Sequence, residues 1–376
     1  MDNTRPAASS PSVALLFPGQ GSQHVGMGRR VAEASPSARE VFAEADDILG
    51  FSVTRMVLEG SEQDLQKTTT TQPAILAVSW AHLAYLRERA AALGRQVRPA
   101  LVSGHSFGQF SAAASVDAIS FADALRLVRE RGRIMAKWSQ KRPGGMASVI
   151  GPSDADVRDV CERVSPDGDV GVAAVNAPGQ TVISGTLAAL ARAVEAVKER
   201  GARVVQLPIS VPGHFPKMAE AREELRRSID ATPFRDPKAP VVSSLTGRVL
   251  TTADEVRQEL SDQMTGAINW MRAFLEMRRA GAQAFFEVGP GHVLANLGRR
   301  LDREATIVDI FDESQWRDLI LAGPPLGEPE PAAAAPVIVA KSVSARRTGV
   351  TKADAARERI SAGLRRVSRT RQRGRG

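Results

Sequence analysis

Five consecutive apolar residues from Val13, in VALLFPGQG, run directly into a glycine-rich loop. That pattern predicts a buried strand and a tight turn. From about residue 27 the spacing becomes helical, and TQPAILAVSWAHLAYLRERAAAL, closed by Gly94, predicts the clearest helix of an otherwise helix-rich stretch. PALVSG (99–104) is a second short apolar strand, and the alanine-rich FSAAASV after it is helix-compatible. FADALRLVRERGRIMAKW is amphipathic, with Ser120 placed to cap it. The rhythm then changes. MASVIG, a helical segment near 152–164, VGVAAVN, QTVISG, a helix near 186–200 and RVVQLPIS alternate as β-α-β-β-α-β. This is the split βαβ, ferredoxin-like order. VVSSLTG (241–247), AFFEVGP (284–290) and ATIVDI (305–310) return to short strands among helices. The predicted architecture is an α/β body of residues 12–142 and 209–322, interrupted by a compact insert at 143–208.

Composition refines this picture at the ends of the chain. GPPLGEPEPAAAAPV, from Gly323, is a Pro/Ala-rich linker, and 323–376 as a whole reads as a linker and basic, solvated tail. Residues 341–376 hold twelve Lys/Arg and two Asp/Glu, which leaves 38 basic and 40 acidic side chains for the other 340 residues. The formal charge of +8 therefore belongs to the tail. That argues against nucleic acid as a partner of the folded body. In the tail, DAARERISAGLRRV has the pattern of a short amphipathic helix that could dock on an acidic partner. The single cysteine, Cys161, excludes an intramolecular disulfide and reads as structural, and so few thiols and histidines leave no metal site expected. No secretory leader or membrane-length apolar run stands in the sequence, so the expected location is cytoplasmic, with no membrane partner.

Candidate chemistry centres on LVSGHSFGQFSAAA, where Ser106 stands between two glycines after a strand. A G-x-S-x-G pattern alone also fits an ordinary serine in a flexible loop. A nucleophilic serine needs a base, and the chain offers five histidines. His82 falls inside a helix, and His105 adjoins the serine on a turn that sends neighbouring side chains apart. His24 and His292 lie on glycine-rich loops, and His214 follows an apolar strand in LPISVPGHFPKM. Position favours His214 over His24 and His292, because α/β folds collect functional groups at the ends of strands. PGQGSQ (18–23) and EVGPGHVL (287–294) would converge on the same end of the sheet. Neither has the Gly-Lys-Ser/Thr ending of a phosphate loop. A side-chain amide such as Gln20, near the backbone N–H after the serine, suits an oxyanion hole.

FPGQGSQ, GHSFGQ, RERGRIM, NAPGQTVISG, VPGHF and EVGPG occur in that order, and with them the chain resembles the malonyl-CoA:acyl-carrier-protein transacylases and polyketide synthase acyltransferases over about residues 12–310. The resemblance implies a hydrolase-like α/β parallel-sheet body with an inserted ferredoxin-like small subdomain. It implies Ser106 as nucleophile and His214 as general base and acid. It further implies the backbone carbonyl of Gln263, in QMTGAINW, as the group orienting that histidine. Gln20 and the Phe107 N–H would form the oxyanion site, and Arg131 and His105 would bind substrate. A guanidinium matches a malonyl carboxylate bidentately. The reaction so implied moves malonyl from coenzyme A to the phosphopantetheine thiol of an acidic acyl carrier protein. The chain is expected to work as a monomer and to need no cofactor of its own.

Two positions depart from the pattern. Gln109 stands where an acidic residue usually follows the nucleophile, and Gly213 replaces serine in the VPGH segment. The latter still resembles free-standing malonyl transacylases more than methylmalonyl-selecting domains, so malonyl is the expected acyl group. A basic tail on a separate chain leans toward a trans-acting polyketide acyltransferase, with attraction to an acidic carrier speeding encounter. The alternatives are an editing hydrolase on the same fold, which has little use for Arg131, and a non-catalytic carrier-binding module, which would not need Ser106, His214, Gln20 and Arg131 together.

Overall fold

A computed structural model of the chain describes residues 12–322; the linker and tail expected at 323–376 lie outside the described residues. In chain order, β1 (Val13–Phe17) leads to five helices: α1 (Arg29–Ala34), α2 (Pro36–Leu49), α3 (Val53–Glu59), α4 (Glu62–Gln66) and α5 (Thr68–Ala92). There follow β2 (Leu101–Gly104), α6 (Gly108–Ser115) and α7 (Phe121–Lys141). The insert runs β3 (Gly144–Ile150), α8 (Asp154–Val164), β4 (Val170–Ala177), β5 (Gln180–Thr186), α9 (Leu187–Lys198) and β6 (Arg203–Gln206). The chain then continues through α10 (Ala219–Asp230), β7 (Val241–Val242), β8 (Val249–Leu250) and α11 (Ala253–Asp262). It closes with β9 (Ile268–Asn269), α12 (Trp270–Arg279), β10 (Ala284–Glu287), α13 (Val293–Leu301), β11 (Thr306–Val308) and α14 (Glu313–Leu321).

The strands of the body form one sheet in the order β11-β10-β1-β2-β7-β8, parallel except for β8. Its central strand is apolar throughout because both faces are covered. Val13, Leu15 and Phe17 enter one core, and Ala14 and Leu16 enter the other. The helix predicted from TQPAILAV is not amphipathic in place. Residues 70–79 of α5 are all buried, since the helix lies between α2, α6 and α7. Helix starts follow local chemistry: Ser120 accepts the Asp123 N–H at 3.0 Å, and Thr252 with Glu255 forms a capping box.

The second sheet has the order β6-β3-β5-β4-β9. Its first four strands with α8 and α9 make the ferredoxin-like unit, and Cys161 is buried in that unit's own core. The fifth strand comes from outside the insert: Ile268 and Asn269 pair in parallel with Ala174 and Val175. A two-residue strand has too little pattern to show in sequence. VVSSLTG is likewise shorter than expected, with only Val241–Val242 in the sheet. The Ser244 and Leu245 N–H groups turn away to the Glu259 carboxylate instead of continuing the ladder.

Candidate active site

β2 ends at Gly104, and α6 starts four residues later at Gly108, so the chain reverses within one turn. Glycine is required at both ends of it. A Cβ on Gly104 would lie 2.1 Å from the carbonyl carbon of Gly108, and one on Gly108 would lie 2.4 Å from the Phe17 carbonyl oxygen. Between them Ser106 sits at φ 55°, a left-handed conformation that costs a non-glycine residue roughly 1–2 kcal/mol. Buried packing holds it there. Gln109, fully buried, accepts the Gly104 N–H at 2.6 Å and donates to the Val242 carbonyl at 2.8 Å. A carboxylate in that position would have no proton for Val242, whereas the amide satisfies both groups.

His214 arrives from the loop after the insert, also in the left-handed region with φ 56°. Its Nε2 lies 2.7 Å from Ser106 Oγ, and its Nδ1 lies 2.6 Å from the Gln263 carbonyl oxygen and 3.2 Å from that of Gly266. A carbonyl only accepts, so Nδ1 carries the proton and Nε2 presents a lone pair to the serine hydroxyl. Burial, and then the Arg131 charge, hold the imidazole down at about 3 against the pull of the Gln263 carbonyl, which keeps it neutral and proton-accepting near pH 7.

The Gln263 carbonyl is itself fixed by a buried polar network. Gln263 Nε2 donates to Ser244 Oγ at 3.0 Å, and Ser244 and Ser243 donate to the Glu259 carboxylate at 2.9 Å (from N) and 2.6 Å (from Oγ). Burial raises the Glu259 carboxyl above the usual carboxylate range, while these donors pull it back. No motif marks this network, because its members are drawn together only by folding.

Ser106 and His214 open into a cavity of about 260 Å³ that Gln20, His105, Phe107 and Arg131 also line. Phe107 caps α6 at its N-terminal end, so its N–H lies at the positive end of the helix dipole beside Ser106. His105 donates from Nε2 to Asn176 Oδ1 at 2.9 Å, which ties the elbow to β4 of the small sheet. Asn176 was not singled out from sequence, although NAPGQTVISG contains it.

Arg131 is 2% exposed, and among the described residues no carboxylate pairs with it. Its Nη1 donates only to the thioether of Met135 at 3.2 Å, and its buried Nε has no acceptor. On the same helix Arg126 and Arg133 pair with Asp123 and Glu130 on the outside. A buried, unpaired guanidinium is costly, and burial draws it down to about 10. Such a group in a pocket calls for an anion.

His24 and His292 lie elsewhere. With His82 they line a separate cavity of about 680 Å³, which contains no serine–histidine pair. His82 is buried against Phe311 and is pushed down to about 4 by that burial.

Comparison with known proteins extends the geometry. The acyl transferase domain family matches residues 14–310. The malonyl CoA-acyl carrier protein transacylase of Bacillus subtilis is 34% identical over 302 residues, covering 80% of this chain and 93% of the relative. Its namesake in Escherichia coli is 37% identical over 289 residues, 77% of this chain and 92% of that one. Among solved structures, a malonyl-transacylase in complex with its type II PKS acyl-carrier protein superimposes with a TM-score of 0.76 at 33% identity, covering 82% of this chain and 99% of the other. The malonyl CoA-acyl carrier protein transacylase of Coxiella burnetii gives 0.78 at 31% identity, covering 84% and 99%.

Proposed function

The chain belongs to the acyl transferase family and is an [acyl-carrier-protein] S-malonyltransferase-type enzyme; we propose that Ser106, His214 and Arg131 carry its chemistry. It moves malonyl from coenzyme A to the phosphopantetheine thiol of an acyl carrier protein.

In the first half-reaction His214 Nε2 takes the proton of Ser106 Oγ as the oxygen attacks the thioester carbonyl. Gln20 and the Phe107 N–H receive the developing oxyanion, where fixed donors contribute most. Collapse of the tetrahedral intermediate breaks the carbon–sulfur bond. His214 returns its proton to the departing coenzyme A thiolate, leaving malonyl as an ester on Ser106. The carrier's thiol then repeats the sequence in reverse: it loses its proton to His214, attacks the ester and restores the Ser106 hydroxyl. The Gln263 carbonyl holds the imidazole in the tautomer that both halves need. His105 shapes the pocket wall from beside the nucleophile.

The observation that carries the assignment of substrate is Arg131, a buried cation in the pocket that holds the serine, with no carboxylate partner among the described residues. The malonyl carboxylate supplies the missing charge. An editing hydrolase acting on uncharged acyl chains leaves that cost uncompensated. The same reading has the enzyme act as a monomer in the cytoplasm, where its coenzyme A thioester is at hand. The test is intact-protein mass spectrometry after incubation with malonyl-CoA. One malonyl adduct is expected on the native chain and none on Ser106→Ala; an adduct on the variant would overturn the nucleophile.

A further inference from the structure

The chain that orients the His214 ring has no long element of its own. Between α11 and β9 it makes one turn, in which the Thr265 and Gly266 N–H groups donate to the Asp262 carbonyl at 3.1 and 2.9 Å. The Gln263 and Gly266 carbonyls of this segment face His214 Nδ1, so whatever holds the segment holds the ring.

Three contacts tie it to the turn at 243–245. At its start, Gln263 Nε2 donates to Ser244 Oγ at 3.0 Å. Oε1 of the same amide is buried with no donor, so among the described residues Ser244 alone fixes the amide. At its end, the Asn269 N–H donates to the Ser244 carbonyl at 2.7 Å. In the middle, Gly266 lies close over the Leu245 side chain: a Cβ there would stand 3.0 Å from Leu245 Cδ2.

One carboxylate holds that turn. Glu259, buried on α11, accepts the Ser243 hydroxyl at 2.6 Å and the Ser244 N–H at 2.9 Å. It also accepts the Ser244 hydroxyl at 3.2 Å and the Leu245 N–H at 3.3 Å. The only hydroxyl proton of Ser244 is thereby committed to Glu259, which leaves its lone pairs to receive Gln263 Nε2. Among the described residues no basic group pairs with this carboxylate. A buried carboxylate without a cation is costly, and an apolar side chain would avoid that cost. It would also leave the buried Ser244 N–H unpaired and the turn loose under the segment it carries.

We propose that Glu259 is a positioning residue for His214: through Ser244 it holds both ends of segment 263–269 and so aims the carbonyls that orient the ring. The proposal rests on the reading of His214 as the base of malonyl transfer and names the group that keeps that base in place.

The experiment compares Glu259→Ala, Glu259→Gln, Ser244→Ala and the Glu259→Ala/Ser244→Ala double variant with the native enzyme. It reads kcat and KM for malonyl transfer and the proton NMR signal of His214 Nδ1–H. Bonded to a buried carbonyl, that proton should give a slowly exchanging downfield signal in the native enzyme. In both single alanine variants the signal should broaden or vanish. Their kcat should fall roughly ten- to a hundredfold with KM little changed, the loss expected from misaiming a reacting group. The double variant should fall no further than the more impaired single one, because both substitutions break one chain of contacts. Glu259→Gln should restore the signal and most of kcat, since its Oε1 can take the Ser244 and Leu245 donors while its amide donates to Ser243 Oγ.

A native signal and native kcat in Glu259→Ala overturn the proposal, as do losses that multiply in the double variant. Glu259→Gln as impaired as Glu259→Ala overturns it as well, by making charge and not position the cause. Should Glu259→Ala not fold, Ser244→Ala decides, and an unchanged signal and kcat there overturn the proposal. A native enzyme that forms no Ser106 ester overturns the transfer reading instead, while the Nδ1–H signal still tests Glu259.

Discussion

His214 works with two neutral carbonyls behind it and a cation nearby, and that pairing sets its pH behaviour. Burial and the Arg131 charge both disfavour the imidazolium, so the ring stays neutral well below the ordinary histidine range. Arg131→Ala removes the larger of the two nearby charges that depress it, after burial itself. The histidine then titrates higher, and the acid limb of kcat/KM, followed with acetyl-CoA, should move up in pH. The same variant should lose malonyl transfer by roughly two to four orders of magnitude, the cost of leaving a buried carboxylate unpaired, about 3–5 kcal/mol. Acetyl transfer should fall far less, and equal losses would remove the anchoring role. At this scale the sequence carried Ser106 and His214 through their flanking glycines and turn residues. It carried Arg131 only through the resemblance, because a lone arginine in RLVRERGR has the pattern of a surface charge. The Glu259–Ser244–Gln263 network was invisible: its hydrogen bonds span 15 and 19 residues with no periodic signal.

Among elements, the turn from β2 into α6 concentrates the fold's constraints. Gln109 links the end of β2 to β7 across the sheet, so it braces the strand that leads into Ser106. Gln109→Leu leaves the buried Gly104 N–H without a partner, at a cost of about 1–3 kcal/mol, while the Val242 carbonyl keeps the Ser103 hydroxyl as donor at 2.8 Å. A lower urea midpoint is expected, together with a fall in kcat larger than any change in KM, because the turn loosens where Ser106 is aimed. A loss of stability with kcat unchanged would separate the brace from catalysis. The longer strands and helices were legible from period and caps alone, as with β1, α7 and the β-α-β-β-α-β run of the insert. β7 was legible only as a longer strand than it is, and β9 not at all, since two residues cannot display a period and tertiary contacts decide their pairing.

For the molecule as a whole, the reactive cavity takes its walls from both sheets: Ser106, Arg131 and His214 from the body, and Met146, Ala174 and Asn176 from the small one. One short segment joins them. Between residues 263 and 269 the chain first offers the Gln263 and Gly266 carbonyls to His214, then adds Ile268 and Asn269 to the edge of β4. The strap that holds the His214 ring is therefore also the outermost strand of the smaller sheet. Heat should expose this economy of construction. When that sheet begins to melt, the strap comes free, and the imidazole loses its bearing while the larger core still stands. Enzymatic activity should disappear several degrees before the main unfolding transition, measurable as residual transfer rate against scanning calorimetry on one sample. Coincident loss of activity and structure would mean that the two sheets melt as one.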